Sequence, residues 1–239
     1  MEEQKLGQDG KLKVGDGFIG MLNAFVDPAG LAKRVPAPLS WLWPVILLCI
    51  IYGVVTYLLL PYALALIDLR MSQQNVPAEQ LERARTITHM VTQIGVLFTP
   101  LIWIGVLALL ALLVGALGSI VGLRTKFRDV FSLMAACQLI SALQVIATYI
   151  VIRARGDEIT SQEQLAPPFG LDIFLQNIHG PLLALVNFFS IFEAWYLIVL
   201  TFGLAYLGKV SKGKAFFAIM PAWLLGLAYR VVAAMLPPG

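Results

Sequence analysis

The sequence predicts an all-α, polytopic integral membrane protein with five transmembrane helices. Of its 239 residues, 59% are hydrophobic and 13% are charged, and this charged share is about half the roughly 25% of an average soluble domain. Five long stretches contain only two of the 17 basic and 14 acidic residues. Each stretch has the ~20 apolar residues that a helix needs to cross a hydrocarbon core about 30 Å thick. These observations exclude a soluble enzyme, a secreted disulfide scaffold and a nucleic-acid binder.

The five stretches define the predicted domain organisation. The spans cover residues 41–67, 91–123, 130–152, 182–207 and 215–236, within a transmembrane domain of residues 41–236. Residues 1–17 are polar and glycine-rich, which is typical of a disordered cytoplasmic tail. Residues 18–40 form a separate amphipathic segment before the first span. In the long loop of residues 153–181, residues 171–174 are expected to begin a short surface helix.

The basic residues predict the orientation of the chain. With five spans, the two termini lie on opposite sides of the membrane. The side that receives the amino terminus carries 11 Lys and Arg residues, and the other side carries five. Because short basic loops remain in the cytoplasm, we expect a cytoplasmic amino terminus and an outside carboxy terminus.

The segment before the first span has apolar residues at helical spacing. These residues are Phe18, Met21, Leu22 and Phe25. Asp27 followed by Pro28 is typical of the capped start of a second short helix. An amphipathic segment beside a span is expected to lie in the cytoplasmic headgroup layer as an interfacial helix. The alternative is a docking helix for a partner.

The second span belongs to an unusually long predicted helix. A helix over residues 77–123 would be about 70 Å long at the usual rise, so it is expected to project outside the membrane or to bend at Pro100. Its cytoplasmic end carries the small residues Gly115, Gly118 and Gly122. The Gly118-x-x-x-Gly122 spacing permits close approach of another helix. That helix belongs either to the same chain or to a second copy.

Two opposite charges lie within the predicted spans. Glu193 and Arg230 each stand 18 residues from the turn that joins the fourth and fifth spans. Adjacent antiparallel helices would place the two at the same depth, so we predict a buried Glu193–Arg230 ion pair. Asn187 and Ser190 precede Glu193 and would give a polar stripe on one helix face. The group either fixes the register of the two helices or forms a polar site for a lipid headgroup or ion. A third possibility is that Arg230 extends along its stem towards water.

The remaining polar residues predict no catalytic centre. Cys49 and Cys137 lie inside spans, where packing is their simplest role. His89 and His179 are 90 residues apart, so no metal site is expected. Gln144 and its polar neighbours in the third span are explained by hydrogen bonds to the fourth. Neither a membrane-embedded base beside a serine nor a glycine-rich phosphate loop is present. We therefore expect no enzyme activity and no cofactor.

Short motifs mark the approach to the first span, the residues after the first basic turn, and the last two spans. They are Phe25-Val26-Asp27-Pro28, Phe131-Ser132-Leu133, Phe192-Glu193-Ala194-Trp195, and the run from Leu204 through Lys214 to Ala215-Phe216. Together they resemble the Yip family of membrane proteins, named for interaction with Ypt/Rab GTPases. The resemblance covers residues 18–232 and implies five spans with a cytoplasmic amino terminus.

One difference from the eukaryotic members limits what the resemblance implies. The cytoplasmic Asp-Leu-Tyr-Gly-Pro motif that those members use for Rab interaction is absent from this sequence. The resemblance therefore implies a bacterial-type member in a bacterial cytoplasmic (inner) membrane, and Rab-type GTPase binding is not carried over.

These observations predict a non-enzymatic membrane protein that acts as a scaffold or as an accessory subunit of a larger membrane assembly. Its expected partners are the lipid bilayer and another membrane protein or a second copy of itself, with no nucleic acid. The alternative is lipid, small-solute or ion handling through the polar site around Glu193 and Arg230. A closed and fully paired cluster favours the scaffold, whereas a cavity beside Glu193 favours transport.

Overall fold

Helices form the framework of the computed structural model, which describes residues 14–72, 78–156, 162–165, 169–175 and 178–235. The α-helices in this part of the chain are α1 (Val14–Asn23), α2 (Pro28–Arg34), α3 (Leu42–Ser72), α4 (Ala78–Ile120), α5 (Phe127–Arg155), α6 (Gly180–Phe188), α7 (Ile191–Gly208) and α8 (Lys212–Met235). Two 3₁₀ helices, Gln162–Leu165 and Leu171–Phe174, lie between α5 and α6. The second is the short helix expected at residues 171–174.

Five of these helices are long and apolar enough to cross a membrane. Their spanning parts are Leu42–Leu69, Gln80–Ile120, Phe127–Arg155, Ile191–Gly208 and Lys212–Met235. The predicted all-α class with five transmembrane helices is therefore confirmed. The orientation of the termini stays a prediction, so we refer below to the basic end of the bundle, which holds the turns at residues 124–128 and 209–214, and to the opposite end.

α5 lies at the centre of the bundle and packs against α3, α4 and α7. Leu133 and Ile140 of α5 are fully buried together with Leu200 and Leu204 of α7. At Gly203, an added Cβ would lie 2.7 Å from a methyl group of Leu133. The two helices therefore approach closely because one of them has a glycine at the contact.

The segment before the first span forms a helical hairpin that packs into the bundle. Met21 of α1 is only 3% exposed and lies in a cluster with Leu48 of α3 and Leu139 of α5. The ring of Phe25, in the turn between α1 and α2, lies 6.0 Å from that of Trp195. Trp195 precedes the end of α7 by 13 residues, or about 20 Å at the usual rise. The turn of the hairpin therefore reaches well into the bundle from the basic end.

The second short helix expected after Asp27-Pro28 is present as α2, with the Asp27 side chain accepting a hydrogen bond from the Gly30 N–H at 2.9 Å as its cap. The arrangement differs from the expected surface helix in two respects. The first helix begins at Val14, inside the tail predicted for residues 1–17, of which residues 1–13 lie outside the described chain. Only part of the apolar face points outward, since Phe18 and Leu22 are exposed whereas Met21 is buried.

Small residues explain why the hairpin packs inside the bundle. An added Cβ at Gly17 would lie 2.9 Å from the Ser40 Cα, and one at Gly20 would lie 2.9 Å from the Arg34 Cβ. The hairpin is also tied to α5, because the Ser40 and Ser132 hydroxyl oxygens lie 2.8 Å apart. Close backbone contact and a buried hydrogen bond therefore hold a segment whose pattern alone suggested a surface helix.

The glycines at the end of α4 form a helix cap. Gly122 has a φ of +91°, the Leu123 N–H donates to the Gly118 carbonyl at 2.8 Å, and the Gly122 N–H donates to the Ser119 carbonyl at 3.2 Å. These two bonds define a Schellman motif, which requires a left-handed residue at this position. Leu123 then packs against both Gly118 and Gly208. The Gly118-x-x-x-Gly122 spacing is thus part of the cap of α4, and Gly115 and Gly122 have nothing within 4 Å of an added Cβ. The close approach of another helix, from the same chain or from a second copy, stays a prediction.

The fourth apolar stretch is not the single helix expected over residues 182–207. α6 ends at Phe188 and α7 begins at Ile191, with Ser190 in an extended conformation. Both α6 and α7 pack against α8. The break brings polar backbone and side chains together inside the bundle.

We expect the Met21→Ala variant to lower the free energy of unfolding by about 2–5 kcal/mol, because it removes a buried side chain from a packed cluster. The matched control is Leu22→Ala, whose side chain is 49% exposed, and we expect a change below about 0.5 kcal/mol. The measurement is reversible unfolding of both variants in mixed micelles. Equal effects of the two substitutions would contradict the packed hairpin.

We expect the Gly122→Ala variant to be destabilised by about 1–2 kcal/mol, because an L-residue is strained at positive φ. Gly115→Ala places a methyl group in open space within a helix, so it should leave stability unchanged or slightly increase it. Thermal unfolding of the two purified variants checks this. A larger loss for Gly115→Ala, with dissociation of a dimer, would favour the homodimer alternative instead.

Candidate functional site

The break in the fourth span is stabilised by hydrogen bonds from the same chain. The Ser190 hydroxyl accepts a hydrogen bond from the Glu193 N–H at 3.1 Å and so caps α7. The Ile191 N–H donates to the carbonyl of Phe169 at 3.3 Å, beside an isolated β-bridge between Gly170 and Ser190. Two of the N–H groups that a helix start leaves unpaired are thus satisfied.

The sequence carries a signal for this helix start that the spacing of apolar residues hides. Ser190-x-x-Glu193 before an apolar run is the pattern of a capping box. Only half of the box is formed, because the Glu193 side chain does not return to the Ser190 backbone. Its carboxylate instead accepts a hydrogen bond from Trp223 Nε1 of α8 at 2.7 Å.

Two further contacts join the break to neighbouring segments. Asn187 Nδ2 donates to Asp172 Oδ1 at 3.2 Å. The Ser190 hydroxyl donates to Gln144 Oε1 of α5 at 3.4 Å, the kind of bond expected between the third and fourth spans. At Gly170, an added Cβ would lie 2.6 Å from the Asn187 Cα. Only a glycine allows the loop to approach the break this closely.

The structure does not contain the predicted Glu193–Arg230 ion pair. Ion pairs with N···O distances of 4.0 Å or less in the described part of the chain include Arg85–Asp68, His89–Asp68 and Arg128–Asp129. The Arg230 guanidinium instead lies 5.0 Å from the centre of the Phe188 ring. Its side chain is exposed, whereas Glu193 is half-buried.

The turn between α7 and α8 explains this difference. Glu193 precedes the last residue of α7 by 15 positions, and Arg230 follows the first residue of α8 by 18. The three residues of the turn do not add to the rise of either helix. Arg230 therefore lies about 4.5 Å further from the basic end than Glu193, at the level of the break.

The predicted site residues are thus only partly brought together. Asn187, Ser190 and Glu193 lie at one break, but on two helices rather than along one helix face. Arg230 lies beside Phe188, about 4.5 Å further from the basic end than Glu193. Sequence reasoning missed Trp223 and Asp172, the partners of Glu193 and Asn187. Trp223 had a usable signal, because an indole N–H inside a span needs an acceptor.

A second polar cluster joins α3 and α4 towards the opposite end. Asp68 Oδ1 accepts a hydrogen bond from Arg85 Nε and lies 2.8 Å from His89 Nε2. Arg85 and His89 are four residues apart and therefore share one face of α4. Within the described residues, no group of three or more His, Cys, Asp or Glu side chains is placed to hold a metal ion.

A small apolar cavity of about 20 Å³ lies between α3, α4 and α5. Tyr52, Trp103 and Gln138 contribute to its lining. The rings of Tyr52 and Trp103 are stacked with centres 5.1 Å apart. A space of this size holds about one water molecule.

The fold and the site define a class of protein: a polytopic helical membrane protein with five spanning helices, the fourth of them preceded by a break and a short helix. The chain belongs to the Yip1 domain family, whose family model matches residues 22–233. The predicted resemblance to the Yip family is therefore confirmed. No curated protein and no solved structure matches the chain at a significant level.

We expect Glu193→Ala and Trp223→Phe to be coupled, with an interaction energy of about 0.5–3 kcal/mol, because each removes one partner of the same hydrogen bond. Glu193→Gln and Arg230→Gln should show a weaker coupling than this pair, because neither a hydrogen bond nor an ion pair joins their side chains. Both cycles are measured by unfolding in mixed micelles. If the charge-swapped double variant, Glu193→Arg with Arg230→Glu, recovers stability, this expectation is contradicted and the predicted Glu193–Arg230 ion pair is supported.

Proposed function

We propose that this Yip1 domain protein is a non-enzymatic scaffold or accessory subunit of a larger membrane assembly, with the amino terminus in the cytoplasm of a bacterium. The observation that carries the proposal is the length and exposure of α4. We call its residues 80–101 the α4 arm. Along the arm, α4 is accompanied by the end of α3.

The apolar length of α4 exceeds what a bilayer covers. Large apolar residues run from Ile87 to Ile120, which is about 51 Å at the usual rise. The hydrocarbon core is about 30 Å thick, and even a tilt of 40° lets a helix run only about 39 Å inside it. Part of the apolar surface of α4 therefore needs a cover other than lipid tails, and a partner helix provides one.

The polar face of the α4 arm points towards α3 and its apolar face points outward, where a partner helix can bind. Thr88, His89 and Thr92 are half-buried on the side towards α3. The outward face carries exposed apolar residues at alternating spacings of three and four: Ile87, Met90, Ile94, Leu97 and Leu101. This spacing lets a second helix pack its side chains between those of the arm. The partner is a transmembrane helix of another protein or of a second copy.

The polar cluster at the break supports the scaffold over the alternative of lipid, small-solute or ion handling. The Glu193 carboxylate is bonded to Trp223, and the Asn187 amide is bonded to Asp172. Polar groups that are paired within the chain hold its helices together and are not free to bind a passing solute. Arg230 lies outside this group, at the surface of the bundle, so the paired residues at the break correspond to the closed cluster that favours a scaffold.

Site-specific photocrosslinking in native membranes tests the subunit proposal. A photoreactive residue at Ile94, on the outward face of the arm, should give one discrete product with a defined protein partner or with a second copy. The matched control is position 92, two residues away on the side facing α3, where no intermolecular product is expected. A chain that reacts only with lipid at position 94, and that is monodisperse in mild detergent, would contradict the proposal.

A further inference from the structure

We infer that Arg230 and Phe188 form a binding site for the phosphate of an anionic phospholipid, in the leaflet at the opposite end of the bundle. The site is separate from the scaffold proposal, because Arg230 and Phe188 belong to α8 and α6 and neither residue is part of the α4 arm. It is a site of lipid binding and involves no movement of lipid across the membrane.

The charge of Arg230 is available to a ligand. Among the described residues, no carboxylate oxygen lies within 4.0 Å of its guanidinium, and none of them accepts a hydrogen bond from it. Glu193 is the acidic residue of the last two spans, and its carboxylate accepts a hydrogen bond from Trp223. The Arg230 side chain is exposed at the surface of the bundle.

The ring of Phe188 helps to hold the guanidinium in place for a phosphate. A cation 5.0 Å from the ring centre is attracted by the electrons of the ring face. Phe188 is itself 4% exposed and packs against Trp223, with ring centres 5.1 Å apart, so it is a fixed support. A planar guanidinium held in this way keeps its N–H donors for the two oxygens of a bidentate phosphate contact.

The depth of Arg230 matches the headgroup layer. Arg230 is 18 residues from Lys212 at the basic end, which is about 27 Å of a hydrocarbon core about 30 Å thick. The length of the arginine side chain covers the remaining distance to the phosphates. Tyr229, next to Arg230 in the sequence, is 76% exposed, and tyrosine is enriched at this depth in membrane proteins.

The charge of the Arg230 guanidinium favours an anionic lipid over a zwitterionic one. One phosphodiester neutralises this charge. A choline headgroup would add a second positive charge beside the guanidinium, and the Glu193 carboxylate is already bonded to Trp223. Phosphatidylglycerol supplies the phosphodiester without that second positive charge.

The test uses the full-length protein in a mild detergent and three probes: dioleoyl phosphatidylglycerol, dioleoyl phosphatidylcholine and inorganic phosphate. Phosphatidylglycerol should raise the melting temperature of the wild type and remain bound in native mass spectrometry. Arg230→Gln should weaken this binding about tenfold, because it removes a charged hydrogen-bond donor. The matched control Arg155→Gln, which removes an exposed arginine at the same end, should change it less than about twofold.

Each outcome decides the assignment. Arg230→Lys should retain part of the binding, because lysine keeps the positive charge but cannot make the bidentate contact of a guanidinium. This variant replaces Arg230→Gln in the test if Arg230→Gln folds poorly. Unchanged phosphatidylglycerol binding in both Arg230 variants would overturn the site. An equal loss in Arg155→Gln would show a general effect of charge and overturn it too. Equal stabilisation by inorganic phosphate would assign a free anion in place of a lipid, and equal stabilisation by phosphatidylcholine would overturn the anionic preference.

Discussion

The unwound backbone at Phe189 and Ser190 is the constraint on which the last three helices depend. Hydrocarbon offers no hydrogen-bond partner, so non-helical backbone within a membrane domain must be satisfied by the protein. The chain satisfies it with the Ser190 cap and with the Phe169 carbonyl. The loop that supplies this carbonyl must come close, which is why a glycine stands at position 170. The positions of α6, α7 and the loop before them are therefore set together.

The same constraint decides what the two intramembrane charges do. Because α7 starts at Ile191, Glu193 lies in the first turn of a helix, where a negative charge is favourable. Its carboxylate is then directed to Trp223 of α8. Arg230, at the level of the break, contacts the last ring of α6. Two residues that look like one ion pair in the sequence thus have separate roles, one within the bundle and one at its surface.

Much of the fold follows from the sequence, because the bilayer reduces the problem to finding long apolar stretches. The five spans and the internal role of the third-span residue Gln144 are predicted on that basis. The Asp27 cap of α2 is predicted too, but the burial of the hairpin of α1 and α2 is not, because burial of Met21 beside an exposed Leu22 depends on close contacts at Gly17 and Gly20 that no periodicity reveals. The depth of Arg230 is predicted wrongly because turn residues were counted as helix. The break was within reach, since Ser190-x-x-Glu193 is a helix-start pattern inside an apolar stretch.

The length of α4 also bears on where in a cell's membranes the protein is most stable. A hydrophobic helix longer than the local bilayer tilts, thickens the surrounding lipid or associates with neighbours, and each ångström of mismatch has a free-energy cost of a fraction of a kcal/mol. α8 is far shorter than α4, with 24 residues against 43, so the two helices favour different bilayer thicknesses. The lipid around the chain is therefore expected to be thicker beside α4 than beside α8. Such a gradient favours membrane regions where thickness changes, and it attracts other long helices to the α4 side.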